Sequence, residues 1–377
     1  KEDDIIKILF AENPGIVIQV KDKHKEEVKK ILEDAGIGYV KLGKPTEERH
    51  ILVEKGDATY QFGIDYLRDV WYSTSYLLDR KQSMNGCAKK RFENYKKQPL
   101  EFVFDKSFTG KLSQFGLNPD RRTPTGIKAA IIREKGTNGE REMAYMLYLA
   151  GFDVKDVTMT DLVSGRETLE DINFIVFCGG FSNSDVLGSA KGWAGAFLFN
   201  PKAKAALDNF YARKDTLSLG VCNGCQLMIE LNLINPDFTK KAKMLHNDSH
   251  KFESKFVGVT VPMNRSVMFG SLSGSKLGIW VAHGEGKFSL PYHEDKYNVV
   301  LKYSYDEYPG NPNGSDYSVA GLASPDGRHL AMMPHLERSC FPWQNAYYPA
   351  DRIKNDQITP WMEAFVNARK WIEMNKK

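Results

Sequence analysis

The spacing of hydrophobic and polar residues divides the chain into three stretches. The first, residues 1–100, is predicted to be a small α+β segment, with strands and helices at 15–20, 23–35, 37–42, 50–54 and 71–78. The second, residues 101–124, follows Pro99, contains Pro119 and has little periodicity, which is typical of a linker. The third, residues 125–377, is regularly patterned and is predicted to form a separate domain.

Strands and helices alternate in the first half of this third stretch. The pattern predicts strands at 127–132, 153–157, 172–178 and 217–221 and helices at 140–150, 201–213 and 223–231. After that helix the pattern is mostly β, and a final helix follows Thr359-Pro360. This order predicts an α/β fold with a doubly wound, mostly parallel sheet, whose ligands lie at the carboxyl ends of the strands.

Composition and charge narrow the function class. The 377 residues carry a net charge of only +4 and no long basic run, so neither nucleic acid nor a membrane surface is a predicted partner. No apolar run reaches the length that spans a bilayer. Five cysteines, an odd number without a signal peptide, predict reduced thiols and a cytoplasmic location. Because the chain opens with Lys1 and not with methionine, we expect it to be part of a longer polypeptide.

The stretch 217–231 holds the first candidate for chemistry. It predicts a strand, a tight turn between Gly220 and Gly224, and an amphipathic helix, with Cys222 in the turn. This is the cysteine counterpart of the nucleophile elbow, which places a reactive side chain at a helix N-terminus, where the thiolate is favoured. The alternative is a buried structural cysteine.

A cysteine nucleophile needs a base and a group that orients the base. His335 follows a predicted strand and precedes Glu337 by two residues, which places both side chains on one side of an extended segment. The alternative is an exposed loop histidine. The backbone of Gly179-Gly180 and the amide of Asn223 are the predicted oxyanion donors, and an ordinary turn is the alternative for the glycine pair.

Two further motifs suggest other chemistry. Cys222 and Cys225 form a Cys-x-x-Cys pair, which in thioredoxin-like folds exchanges disulfides, but it lies too far into the predicted domain for that fold. His246 and His250 have the spacing of metal ligands without the glutamate of a zincin motif, so a polar loop and no metal site is predicted. Neither a Walker A nor a dinucleotide fingerprint is present in the sequence.

Several motifs together resemble a known family. The segments concerned are 130–139, 178–182, 220–226, 281–286, 311–315 and 334–337. They are similar to the class I glutamine amidotransferases and, more narrowly, to the glutaminase domain of the phosphoribosylformylglycinamidine synthase family. The resemblance covers residues 127 to about 350, and residues 1–100 more weakly resemble the end of the ATP-using synthetase portion of the large single-chain form.

The resemblance implies a role for each matching residue. Cys222 would be the nucleophile, His335 the proton carrier and Glu337 its orienting group. Gly180 and Asn223 would form the oxyanion hole. The residues implied to bind substrate glutamine are Gly179, Phe181, Ser182 and Gln226.

The same resemblance implies the reaction and its partners. A Cys222 thioester would release ammonia to the synthetase portion of the same polypeptide, which would use it in the ATP-dependent conversion of formylglycinamide ribonucleotide to formylglycinamidine ribonucleotide. No cofactor is expected in this chain, whereas ATP and Mg²⁺ are expected in the synthetase portion. Alone, the chain is expected to be at most a slow glutaminase. A non-catalytic docking module and a Cys222/Cys225 redox protein remain as alternatives.

Overall fold

The structure is a computed structural model that describes residues 2–98 and 100–376. Pro99, which helped to predict the linker, lies outside the described residues. The chain divides into two compact units, one extending to Ser75 and the other beginning at Tyr76. The predicted division, at residues 100 to 125, lies later in the chain. Residues 76–124 therefore belong to the second unit.

The first unit contains few regular elements. They are α1 (Ile5–Leu9), α2 (Lys25–Asp34), the antiparallel pair β1 (His50–Lys55) and β2 (Ala58–Gly63), and the first part of α3 (Ile64–Gln82). The predictions for 23–35, 50–54 and 71–78 are confirmed, but those of strands at 15–20 and 37–42 are wrong. Both segments are described and form no strand; Ile16 is 90% and Val40 78% exposed. An apolar strand needs a sheet partner to bond its backbone, and neither segment has one here.

The second unit is an α/β domain. Its remaining helices are α4 (Cys87–Asn94), α5 (Glu140–Ala150), α6 (Met159–Ser164), α7 (Lys191–Phe199), α8 (Pro201–Ala212), α9 (Asn223–Glu230) and α10 (Trp361–Asn375). Its strands are β3 (Lys128–Arg133), β4 (Thr137–Asn138), β5 (Asp153–Thr158), β6 (Phe174–Phe177), β7 (Gly179–Gly180), β8 (Leu217–Val221), β9 (Lys243–Leu245), β10 (Glu253–Thr260), β11 (Lys276–His283), β12 (Lys287–Ser289), β13 (Asn298–Tyr303), β14 (Val319–Ala323) and β15 (His329–Met332).

Nine of these strands form one sheet in the order β11-β10-β13-β14-β15-β8-β6-β3-β5. The strands from β15 to β5 pair in parallel, as the alternation of strands and helices predicts. Every residue of β6, β8 and β15 is buried, which is the expected state of parallel strands covered on both faces. The α/β prediction is therefore confirmed, with an antiparallel half added by β14, β13, β10 and β11.

Residues 101–124, predicted as a linker, are packed into the second unit. The backbone of Val103 pairs with that of Lys276 at the edge of the sheet, and Phe104 stacks on Phe108 at 5.9 Å between ring centroids. The ring of Tyr348 meets Phe104 edge-on at 5.7 Å. The sequence did not predict that this segment packs on the domain. It packs through irregularly spaced aromatic rings and not through an amphipathic helix or strand, so it has no periodic pattern.

Candidate active site

Cys222 lies in a sharp turn between β8 and α9. Its backbone has φ 53° and ψ −106°, a conformation that costs a non-glycine residue free energy and is commonly found at functional sites. The two flanking positions must be glycine because other backbone atoms lie too close to leave room for a side chain. A Cβ on Gly220 would lie 2.5 Å from the carbonyl oxygen of Gly224, and one on Gly224 would lie 2.0 Å from the carbonyl oxygen of Phe177. The predicted elbow is present.

The turn buries the thiol but leaves it among backbone donors. Cys222 is 5% exposed, its N–H donates to the carbonyl of Met332 at 2.9 Å, and its thiol donates to the carbonyl of Ala282 at 3.6 Å. Asn223 is the first residue of α9, where backbone N–H groups have no acceptor within the helix. These N–H groups and the positive end of the helix dipole stabilise negative charge at the sulfur or on an atom bonded to it.

His335 and Glu337 form a buried pair beside this turn. The Nδ1 atom of His335 lies 2.7 Å from Oε1 of Glu337, and the two side chains are each 2% exposed. The backbone N–H of His335 donates to the carbonyl of Trp280 at 2.8 Å, which fixes the segment on β11. A Cβ on Gly179 would lie 2.9 Å from Cε1 of His335 and 3.4 Å from Cβ of Cys222. Both side chains therefore border Gly179, which has room for hydrogen only.

The charge state of His335 follows from these neighbours. Burial alone would lower the pKa of the imidazole, but the negative charges of Glu337 and of a Cys222 thiolate outweigh it and raise the pKa to about 10. His335 is therefore an imidazolium near neutral pH, and it borders Gly179 together with Cys222. Such a pair provides a nucleophile and a proton donor at the same point.

The candidate oxyanion donors belong to β7 and to the start of α9. Gly180 has φ 119°, and a Cβ there would lie 2.6 Å from Cα of Thr137. The residue is thus fixed against β4, with which β7 pairs. Asn223 lies at the start of α9, and its side-chain oxygen accepts a hydrogen bond from the N–H of Ser182 at 3.1 Å. The loop after β7 and the elbow are joined directly.

The candidate substrate residues surround the same turn. Ser182 is 1% exposed, and its hydroxyl has no hydrogen-bond partner among the described residues. Gln226 is 4% exposed and accepts from the side-chain amide of Asn223 at 2.9 Å. Phe181 is 45% exposed, with its ring 5.9 Å from that of Phe252. Two buried amides, a free hydroxyl and an aromatic rim suit a small polar ligand.

The sequence assigned no role to segment 281–286, although it lies against the site. The carbonyl of Glu285 accepts from Nε2 of Gln226, and the carbonyl of Ala282 faces the thiol. His283 is 2% exposed, and burial, aided by the charge of His335, lowers its pKa to about 3, so it is neutral. Segment 281–286 begins at the end of β11, a strand of the antiparallel half. Reasoning from the carboxyl ends of parallel strands therefore could not place it.

Comparison with known proteins agrees with this geometry. A model of the CobB/CobQ-like glutamine amidotransferase domain matches residues 126–372. The chain belongs to this family. This amidotransferase is also 38% identical, over 98% of its length, to human phosphoribosylformylglycinamidine synthase, and 37% identical, again over 98%, to the Arabidopsis thaliana protein described as a probable chloroplastic or mitochondrial form. It spans only 29% and 27% of those two proteins.

Among solved structures, this amidotransferase is similar to a chain from the structure of PurLQS from Thermotoga maritima. The identity is 27%, the TM-score is 0.50, and the match covers 67% of this chain and 99% of that one. In residues 2–98 and 100–376, no helix combines the length and apolar character that crossing a bilayer requires. The same residues contain no group of three or more His, Cys, Asp or Glu side chains placed to hold a metal ion.

The Glu337→Gln variant of this amidotransferase should lose activity at lower pH than the wild type. Removal of the carboxylate lowers the pKa of His335, so the alkaline decline in kcat should move down from about 10 by one or more pH units. Because the folded-state pKa is raised, the stabilisation by the pair is full below about 6.5 and is lost as pH rises through about 10. The loss in unfolding temperature caused by Glu337→Gln should therefore be larger at pH 6 than at pH 10.

A pH–rate profile for glutamine hydrolysis and thermal unfolding at both pH values test this. Glu167→Gln is the matched control, because Glu167 is also a buried carboxylate, 5% exposed, and pairs with Lys155 outside the site. An alkaline limb that does not move in Glu337→Gln would show that Glu337 leaves the protonation of His335 unchanged.

Proposed function

We propose that the chain is the glutaminase module of a phosphoribosylformylglycinamidine synthase. The buried His335–Glu337 pair beside a cysteine in a strained elbow carries the proposal, because these are the parts that thiol-dependent amide hydrolysis requires. The family and the relatives support the same reaction. The proposed substrate is glutamine, and the proposed products are glutamate and ammonia.

In the first half-reaction the Cys222 thiolate attacks the side-chain carbonyl carbon of glutamine. The resulting oxyanion is stabilised by the N–H groups of Asn223 and Gly180. His335 donates its proton to the amide nitrogen, the carbon–nitrogen bond breaks, and ammonia leaves a γ-glutamyl thioester on Cys222. Glu337 stabilises the imidazolium before this transfer and holds the ring in orientation afterwards.

In the second half-reaction water attacks the thioester. Neutral His335 takes a proton from the water, the carbon–sulfur bond breaks, and glutamate leaves as the thiolate is restored. The buried amides of Gln226 and Asn223, the Ser182 hydroxyl, the backbone of Gly179 and the ring of Phe181 are the proposed contacts of the glutamine side chain and main chain.

The partner of the module is proposed to be a synthetase portion of the same polypeptide, of which residues 1–100 form the end. The relatives support this, because the chain matches only 27% to 30% of their lengths. That portion would bind ATP and Mg²⁺ and use the ammonia on formylglycinamide ribonucleotide. A cytoplasmic location is part of the proposal, although one relative is described as chloroplastic or mitochondrial.

The decisive experiment supplies the intact natural protein with formylglycinamide ribonucleotide, ATP and Mg²⁺. With glutamine we expect formylglycinamidine ribonucleotide and glutamate in equal amounts, and with ammonium chloride we expect the same nucleotide without glutamate. The chain of residues 1–377 alone should hydrolyse glutamine slowly, since ammonia without an acceptor is wasted. Glutamine hydrolysis without any amidine product in the intact protein would contradict the synthase assignment and leave a simple glutaminase.

The redox alternative has little support from the geometry. Cys225 is completely buried, and burial raises the pKa of its thiol well above the ordinary value. A resolving thiol must be reachable and partly ionised to exchange with a partner. No specific observation favours a non-catalytic docking module.

A further inference from the structure

A turn formed by residues 247–251 lies behind segment 281–286 and holds it in place. Asn247, which is fully buried, makes most of the contacts. Its side-chain amide donates to the carbonyl of His283 at 2.7 Å and to that of Lys251 at 3.0 Å, and its side-chain oxygen accepts from the N–H of Gly286 at 3.0 Å. Its backbone N–H also donates to the carbonyl of Gly284 at 2.9 Å. One asparagine thus bonds three of four consecutive residues.

Segment 281–286, which Asn247 holds, lies two hydrogen bonds from Asn223 in the elbow. Segment 281–286 offers the carbonyl of Glu285 to Nε2 of Gln226, and Gln226 accepts from Asn223, the residue after Cys222. Asn223 in turn accepts from the N–H of Ser182. A shift of the Glu285 carbonyl would therefore change the orientation of two proposed glutamine contacts, Gln226 and Asn223.

The turn is also attached to the helices that precede the sheet. Lys251 donates at 2.9 Å to Asp79 near the end of α3, and Arg91 of α4 donates to the other oxygen of the same carboxylate. The N–H of Met84 donates to the carbonyl of Ser249 at 3.0 Å. Burial alone would raise the pKa of Asp79, but bonds from Ser83 and Lys251 and the charge of Arg91 hold it below the usual value. The carboxylate is therefore ionised and paired.

We propose that Asn247 is a positioning residue for glutamine binding, and that the Asp79–Lys251 ion pair transmits to it the position of α4 and of the end of α3, residues 76–82. Asn247 holds segment 281–286, segment 281–286 bonds Gln226, and Gln226 is a proposed glutamine contact near Cys222. The inference rests on the proposed glutaminase function. It adds a route by which residues 76–94 set the affinity of the proposed site for glutamine.

Asn247→Asp in the intact natural protein tests the first step. The carboxylate keeps an acceptor for Gly286 but faces the carbonyls of His283 and Lys251 without a donor, so we expect KM for glutamine to rise about tenfold or more with a smaller change in kcat. Alkylation of Cys222 by a glutamine-like diazo ketone should slow by a similar factor. Iodoacetamide does not need the contacts that bind an amino acid. The rate at which it alkylates Cys222 in Asn247→Asp should therefore stay within about twofold of the wild-type rate.

Asn298→Asp is the matched control. Asn298 is also a buried asparagine, 8% exposed, that accepts from the N–H of Arg265 and donates to the carbonyl of Ser324 outside the site. We expect it to lower the unfolding temperature about as much as Asn247→Asp while leaving KM unchanged. If both variants alter KM equally, or if the diazo ketone and iodoacetamide reactions of Asn247→Asp slow together, Asn247 stabilises the fold and does not position the pocket.

Asp79→Asn tests the link to the helices, with Asp356→Asn as its control because Asp356 is a buried carboxylate paired with Arg352 elsewhere. Asp79→Asn should raise KM by about three- to tenfold, and its effect should not add to that of Asn247→Asp. Additive effects, or no effect of Asp79→Asn, would overturn the link. If the wild type neither hydrolyses glutamine nor reacts with the diazo ketone, the proposed function itself fails. That result differs from the outcomes that would contradict the role of Asn247 or the link through Asp79.

Discussion

Cys222→Ala should reduce the rate of glutamine hydrolysis by at least about ten-thousandfold, because no thioester forms without the sulfur. The remaining groups can still bind glutamine, so the loss should fall on kcat and not on KM. In the intact protein, amidine synthesis from ammonium chloride should continue in this variant, since ammonia would reach the synthetase without passing Cys222. Steady-state kinetics with each nitrogen source would measure both effects.

Cys225→Ala is the matched control for this substitution. Cys225 lies three residues away in α9 and is completely buried, so its replacement removes a thiol of the same elbow without removing the proposed nucleophile. Intact-protein mass spectrometry after treatment with a glutamine-like diazo ketone should show one adduct on the wild type and on Cys225→Ala, and none on Cys222→Ala. An adduct that disappears only in Cys225→Ala would show that Cys225, and not Cys222, is the nucleophile.

His335→Gln should lower kcat by about a thousandfold, within the range expected for loss of a positioned acid–base group. Two steps depend on the imidazole, because it protonates the departing nitrogen and later deprotonates the attacking water. Glutamine retains a polar group in the buried site but carries no proton that it can transfer. Pre-steady-state kinetics should show that release of ammonia and hydrolysis of the thioester are both slower than in the wild type.

His329→Gln provides the control for a buried histidine. His329 lies on β15, is 5% exposed, and bonds Ser218 at 2.9 Å, away from the thiol. Its replacement should lower stability while kcat stays within about threefold of the wild type. If His335→Gln retains a similar share of activity, the proton carrier must be another group, and neutral His283 would be the next to test because it is buried beside His335.

The sequence predicted the structure best where the local residue pattern alone determines the element that the folded domain contains. The elbow at Cys222 could be predicted because two glycines, an apolar strand and an amphipathic helix occur within fifteen residues, and the structure shows that each glycine avoids a backbone clash. The helix at 140–150 was predicted with the same bounds as α5, since it carries a regular apolar face and ends at Gly151 in the left-handed conformation.

Other features could not be predicted because they depend on distant contacts. The strands β4, β7, β9 and β12 have two or three residues each, too few for a periodic pattern. The role of Asn247 depends on carbonyls of residues 283 and 251, and an asparagine that clamps a loop has the same local sequence as one exposed on a turn. At 15–20 the strand pattern is present, but strand formation needs a neighbouring strand.

The close contact between Gly224 and the Phe177 carbonyl bears on how this enzyme can diversify. The position of the proposed nucleophile is fixed by this contact with the end of β6. A side chain at Gly224 would push the helix away from that strand. The proposed contacts Phe181 and Ser182 lie instead in the loop after β7, and segment 281–286 bonds Gln226. Substitutions in these two segments are therefore expected to alter which amide is accepted, whereas the position of the proposed nucleophile is retained with the scaffold.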